Sequence, residues 1–87
     1  GKRMSALPIE IELLTRPDCH LCDEIKQALK EATTGLNIDL REIDISEDPA
    51  LAKRYGENIP VLFINGSKAF KHRATANDLR ERLKKET

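Results

Sequence analysis

The sequence has no tryptophan, two phenylalanines, one tyrosine and only two cysteines among its 87 residues. A core must therefore be built from Leu, Ile, Val and Ala, and at this length we expect a single domain. No charge of one sign predominates, because 15 basic residues balance 15 acidic ones, so composition gives no support for a nucleic-acid partner. The longest apolar run, residues 59–64, contains a proline and is too short to span a membrane.

Residues 1–8 lack the apolar run of a secretory signal, and we expect them to form a flexible segment ahead of one domain at 9–87. A bridge between the two cysteines would close a very small loop and add little stability through chain entropy. The chain therefore does not look like a disulfide-stapled secreted domain. Two nearby thiols instead indicate a redox or metal-binding pair in a reducing compartment, and we expect a cytoplasmic location.

Both cysteines lie in the segment Cys19-His20-Leu21-Cys22, where a strand-like pattern changes to a helix-like one. This spacing places the two sulfurs on one helical turn, close enough to form a disulfide. Cys19 falls at the helix N-terminus, where unpaired backbone N–H groups favour a negative charge. A thiolate there is a nucleophile, and Cys22 on the apolar helix face could resolve the adduct that it forms.

Charged neighbours should modulate the first thiol. Arg16 and the helix N-terminus lower the pKa of Cys19 from the reference value of about 8.5, whereas Asp18 acts in the opposite direction. His20, if protonated, would also stabilise the thiolate. On the polar helix face, however, such a histidine is more often a solvated surface residue, which is the interpretation we favour.

Hydrophobic periodicity and turn signals predict seven elements in the order β-α-β-α-β-β-α. The four predicted strands lie at 9–14, 38–44, 59–64 and 67–71. The three predicted helices lie at 20–32, 49–55 and 76–85. Asn65-Gly66 is a two-residue hairpin signal, and Thr75 with Asp78 forms a capping pair. A parallel βαβ unit followed by a hairpin and a closing helix predicts a small mixed sheet with helices packed against it.

Besides this order of elements, the chain has the two-cysteine motif after the first strand, Ile59-Pro60 at the start of the third strand and Asn65-Gly66 after it. In these features it resembles the thioredoxin-fold superfamily, and especially its glutaredoxin-like branch. The resemblance covers residues 9–83. It implies an α/β thioredoxin/glutaredoxin-like fold, with a four-stranded mixed sheet flanked by helices. It also implies that Pro60 is cis and faces the reactive cysteine, so that the backbone of Ile59 is offered to an extended peptide or to glutathione.

Some positions match the resemblance and others depart from it. Arg16 matches the basic residue that precedes the nucleophile of glutaredoxins by three positions, which implies contact with a glutathione carboxylate. His20-Leu21 replaces the Gly-Pro of thioredoxins and the Pro-Tyr of glutaredoxins. Ala74-Thr75 replaces the paired glycines of the glutathione-binding segment, so the backbone cannot come as close to that ligand. Nearby, His72 and Arg73 could face a ligand or belong to a solvated loop.

The leading hypothesis is a thiol–disulfide oxidoreductase in which Cys19 and Cys22 are catalytic and Arg16, His20, Ile59 and Pro60 bind substrate. We expect a monomer that reduces protein or glutathione mixed disulfides, with no bound cofactor or metal and with glutathione as a candidate co-substrate. Two alternatives stay open. One is a non-catalytic binding module around Pro60. The other is glutathione-assisted metal or iron–sulfur binding, because two cysteines supply only half of a four-ligand site.

Overall fold

A computed structural model describes residues 7–86, and most of the segment predicted to be flexible, residues 1–8, lies outside this range. The strands are β1 (Ile9–Thr15), β2 (Ile38–Asp44), β3 (Val61–Ile64) and β4 (Ser67–Lys71). The helices are α1 (His20–Ala32), α2 (Pro49–Tyr55) and α3 (Ala76–Lys84), and a short 3-10 helix, Ile45–Glu47, precedes α2. The element order predicted from the sequence is confirmed.

The strands form one mixed sheet in the order β2-β1-β3-β4. Strand β1 runs parallel to β2 and antiparallel to β3, and β3 pairs antiparallel with β4. The parallel pair requires a crossover, which α1 supplies, and the antiparallel pair β3–β4 needs only a tight turn. That turn places Asn65 and Gly66 at φ of 49° and 84°, as expected for the two left-handed residues of a hairpin turn.

The main core lies between the sheet and the pair α1 and α3. Ile11 and Leu13 of β1 pack there with Leu62 of β3 and with Leu79 of α3, all fully buried. A smaller buried cluster contains Leu14, Cys22, Ile45, Ile59 and Val61. This second cluster joins the first turn of α1 to the ends of β1 and β3, and it supports the candidate site.

Two element boundaries differ from the sequence-based expectation. The third strand begins at Val61, where the pattern predicted Ile59, because Pro60 has no N–H to contribute to a ladder. The last helix ends at Lys84, where the pattern predicted residue 85. Neither shift changes the topology.

The helices between residues 7 and 86 include none that is both long enough and apolar enough to cross a membrane.

Candidate functional site

The site is built where β1 ends and α1 begins. Asp18 takes a left-handed conformation with φ of 58°, and Cys19 returns to an extended one as the N-cap of α1. Cys22 follows in the first turn, with its Cα 5.2 Å from that of Cys19. The two cysteines form a disulfide, as their spacing predicted.

The two sulfurs have different surroundings. The Cys22 side chain is buried, with 1% of its surface exposed, whereas Cys19 is partly exposed. The backbone N–H of Cys22 donates a hydrogen bond of 3.1 Å to Cys19 Sγ. This N–H is one of the unpaired donors of the helix N-terminus, so α1 directs positive potential at the more accessible sulfur.

Ile59 lies close to the cysteines. Ile59 belongs to the small buried cluster that contains Cys22, and Cys19 packs against the same cluster. The Ile59–Pro60 peptide bond is cis, which confirms the expectation from the resemblance. The carbonyl of Pro60 accepts a hydrogen bond of 2.7 Å from the backbone N–H of His72, which ties β3 to the chain after β4.

Arg16 contacts the end of α2. Its Nη1 donates a hydrogen bond of 3.1 Å to the carbonyl of Gly56, although the side chain remains exposed. Arg16 and Cys19 also line one open cavity of about 250 Å³. Four carboxylates, Asp18, Asp23, Glu42 and Asp44, line the same cavity, so the charge of Arg16 is opposed there.

His20 lies on the outer face of α1. Its Nε2 is 3.0 Å from Oε2 of Glu24, and 86% of its side chain is exposed. The sequence placed His20 on the polar face, and the structure confirms that placement. The close carboxylate and the surrounding solvent weaken any field from the imidazole at Cys19.

A polar network beside Cys19 was not recognised in the sequence. Lys26 Nζ lies 3.1 Å from Glu42 Oε2, and Thr15 donates a hydrogen bond of 3.1 Å to the same oxygen. The hydrogen bond and the negative charge of Glu42 raise the pKa of Lys26. The network follows from the parallel register of the structure, in which Glu42 stands opposite Leu13 and therefore faces α1.

A second cavity, of about 210 Å³, lies between the starts of α1 and α3. His72 and Arg73 line it with Thr75, so these loop residues do face a cavity, although Arg73 remains exposed. Thr75 and Asp78 form the predicted capping box: Thr75 N–H donates to the Asp78 carboxylate at 3.1 Å, and Asp78 N–H donates to the Thr75 hydroxyl at 3.0 Å. These two N–H groups of the helix end are therefore already occupied.

Within residues 7–86, no three or more His, Cys, Asp or Glu side chains are grouped so that they could hold a metal ion. A site completed by a second subunit or by glutathione remains a prediction.

Comparison with known proteins agrees with this geometry. Residues 10–84 match the family described as Glutaredoxin-like domain (DUF836). The chain is 31% identical over 80 residues to a thioredoxin of Methanocaldococcus jannaschii, covering 88% of this chain and 94% of that protein. It also resembles the X-ray structure of protein XcR50 from X. campestris, with a TM-score of 0.74 and 33% identity, over 86% of this chain and 96% of the other.

A further relative is an uncharacterized protein of Mycobacterium tuberculosis, 31% identical over 62 residues. That match spans 66% of this chain and 64% of the mycobacterial protein. The family match covers almost the whole of the sheet and all three helices, and the paired cysteines occupy the strand-to-helix junction. The chain therefore belongs to the glutaredoxin-like domain family, and it has the thioredoxin fold.

Proposed function

We propose that this protein is a thiol–disulfide oxidoreductase that reduces protein disulfides or glutathione mixed disulfides. The thioredoxin-like fold and its paired cysteines support a redox role in general. The main observation behind the proposed reductase activity is that the two cysteines have different surroundings. Cys19 is partly exposed and accepts a helix N–H, whereas Cys22 is buried one turn along.

In the first step the reduced protein acts through Cys19. Its thiolate attacks one sulfur of the substrate disulfide, so that a Cys19–substrate disulfide forms and the other substrate sulfur leaves as a thiolate that takes up a proton. The Cys22 N–H donates to the attacking sulfur, and this contact favours the thiolate over the thiol.

In the second step Cys22 loses its proton and attacks Cys19 Sγ. The Cys19–Cys22 disulfide forms, the mixed disulfide breaks, and the second substrate sulfur leaves as a thiol after taking up a proton. Two electrons have then passed from the protein to the substrate. An external thiol, such as two molecules of glutathione or a dithiol protein, returns two electrons and restores the reduced pair.

Two features bear on the substrate. Arg16 lines one cavity with Cys19, but the carboxylates Asp18, Asp23, Glu42 and Asp44 line it too, which disfavours a carboxylate of glutathione there. The capping box of α3 occupies the backbone N–H groups of Thr75 and Asp78, which makes that helix end a weaker anion site. We therefore propose protein disulfides as the preferred class and glutathione as a poorer co-substrate. Monomeric state and cytoplasmic location stay predictions.

Trapping tests the proposal. The variants Cys19→Ser and Cys22→Ser are each reduced and mixed with a small disulfide-bonded test protein or with glutathione disulfide, and adducts are identified by mass spectrometry. We expect Cys22→Ser to accumulate a mixed disulfide at Cys19, because the resolving thiol is missing. We expect Cys19→Ser to form no adduct and to lose reductase activity.

The two variants control for each other, since each removes one sulfur and leaves the fold to be verified by circular dichroism. Adducts with the test protein but few with glutathione would support the preference for protein disulfides. Unchanged activity in Cys19→Ser, or an adduct on Cys22, would contradict the proposed roles. A wild-type protein that reduces neither substrate would favour the binding-module alternative.

A further inference from the structure

Three cations gather on the side of the sheet that carries α2. Arg54 of α2 and Lys68 and Lys71 of β4 line one open cavity of about 380 Å³. No carboxylate is among the described residues that line it. The chain as a whole has no net charge, with 15 basic and 15 acidic residues, so this local excess of positive charge is not a consequence of composition.

A β-bulge brings the two lysines to the same face. Residues three apart in a regular strand point to opposite faces of a sheet. Here the register shifts within β4: Lys71 pairs with Val61 and Lys68 pairs with Phe63. Val61 and Phe63 lie two apart and share a face, so Lys68 and Lys71 share it too, while Ala69 and Phe70 pack against the main core.

The cations are not neutralised within the described part of the chain. No ion pair joins Arg54, Lys68 or Lys71 to any carboxylate of residues 7–86. Arg54 lies over the ring of Tyr55, with its Cζ 5.3 Å from the ring centroid. This contact positions the guanidinium without cancelling its charge.

An apolar wall completes the cavity. Tyr55 and Phe63 meet edge to face with their ring centroids 6.2 Å apart, and Val61 lies beside them. Phe63 is partly exposed, so a ring or alkyl group entering the cavity could pack against it. The cavity is open, and a ligand in it would meet three exposed cations on one side and this apolar wall on the other.

We infer that this cavity, which we name the β4 pocket, binds a small phosphate monoester with an aromatic or other apolar group attached to it. A phosphate monoester carries nearly two negative charges and three acceptor oxygens, which match the three cationic side chains. The attached group would lie against the partly exposed ring of Phe63. The inference stands independently of the proposed redox function, because it uses neither cysteine.

Phenyl phosphate is the probe, with inorganic phosphate for comparison, in amide NMR titrations of the full chain. We expect saturable shifts in the amides of residues 54–55, 61–63 and 68–71, and tighter binding of phenyl phosphate than of inorganic phosphate. The double variant Lys68→Gln/Lys71→Gln should weaken binding about tenfold or more, because two charge-assisted contacts are lost.

The double variant Lys30→Gln/Lys85→Gln is the matched control, because it removes the same charge from exposed positions on α1 and at the end of α3, outside the β4 pocket. It should change binding by no more than about twofold, as expected for distant, screened charges. All variants alter exposed side chains, and their amide spectra without ligand report directly whether they fold. Three results would overturn the inference: no saturable shifts in the β4 pocket, equal binding of the two phosphates, or an equal loss in the control.

Discussion

The backbone N–H of Cys22 lies 3.1 Å from Cys19 Sγ and points its hydrogen at that sulfur. In the disulfide the sulfur is a weak, neutral acceptor. After reduction the same acceptor would carry a negative charge, and the hydrogen bond would become charge-assisted. The contact therefore favours the Cys19 thiolate, which is the nucleophile in each turnover and the leaving group when a second thiol reduces a Cys19 mixed disulfide.

Replacing Asp18 by Asn should make Cys19 more acidic. Asp18 precedes the nucleophile directly, and its negative charge opposes the thiolate. Asn also tolerates the left-handed φ of 58° found here, so the exchange removes charge without forcing the backbone. We expect the apparent pKa of Cys19 in the reduced protein to fall by up to about one unit. Alkylation rates measured across a pH series report this value.

Glu31→Gln is the control for this prediction, since it removes one exposed carboxylate from the far end of α1. It should leave the alkylation profile of Cys19 unchanged. An equal shift in both variants would show a general charge effect, and no shift in Asp18→Asn would contradict the assigned role of that carboxylate.

Replacing His20 by Gln should change the redox equilibrium little. The imidazole is mostly exposed and its Nε2 lies 3.0 Å from Glu24, so solvent and the carboxylate screen it from Cys19. When the variant is equilibrated with glutathione buffers, the equilibrium constant between its dithiol and disulfide forms should lie within about threefold of the wild-type constant. A tenfold change, which is about 30 mV for a two-electron couple, would show that His20 does tune the pair.

Glu86 should contribute stability that depends on pH. Hydrogen bonds from Arg82 and from Asn65, at 2.7 and 2.6 Å, lower the pKa of its carboxyl from 4.5. A carboxyl whose pKa is lowered by folding contributes its full stabilisation at pH values above its pKa in the unfolded state. This contribution is lost as pH falls through its pKa in the folded state.

Urea denaturation of Glu86→Gln measures that contribution. We expect the variant to be less stable than the wild type at neutral pH by up to about 1 kcal/mol, and the difference to shrink as pH falls below 4.5. Glu47→Gln, at an exposed carboxylate outside this network, controls for the lost charge. A difference that stays constant down to about pH 2, below the usual carboxyl values, would contradict the prediction.

Much of the fold could be predicted because local signals and the tertiary structure agree. Alternation in residues 9–14 and the apolar stripe after Cys19 give the correct element types, since each apolar face is buried in the structure. Caps and turns were equally readable. Asn65 and Gly66 form the predicted hairpin turn, and Thr75 forms its capping box with Asp78.

What the sequence did not predict depends on contacts between distant segments. The network of Lys26 with Glu42 requires the parallel register of β1 and β2, which no local pattern fixes. The β4 pocket depends on a bulge, because regular alternation would place Lys68 and Lys71 on opposite faces. The contact of Arg16 with Gly56 likewise joins residues that are 40 positions apart.

The account depends most directly on the acidity of Cys19 in the reduced protein. Iodoacetamide alkylation across a pH series, with mass spectrometry to assign the modified sulfur, measures its apparent pKa. We predict a value clearly below the free-thiol value of about 8.5, with Cys19 modified well before the buried Cys22. A value at or above that of a free thiol, or earlier modification of Cys22, would contradict the proposed mechanism.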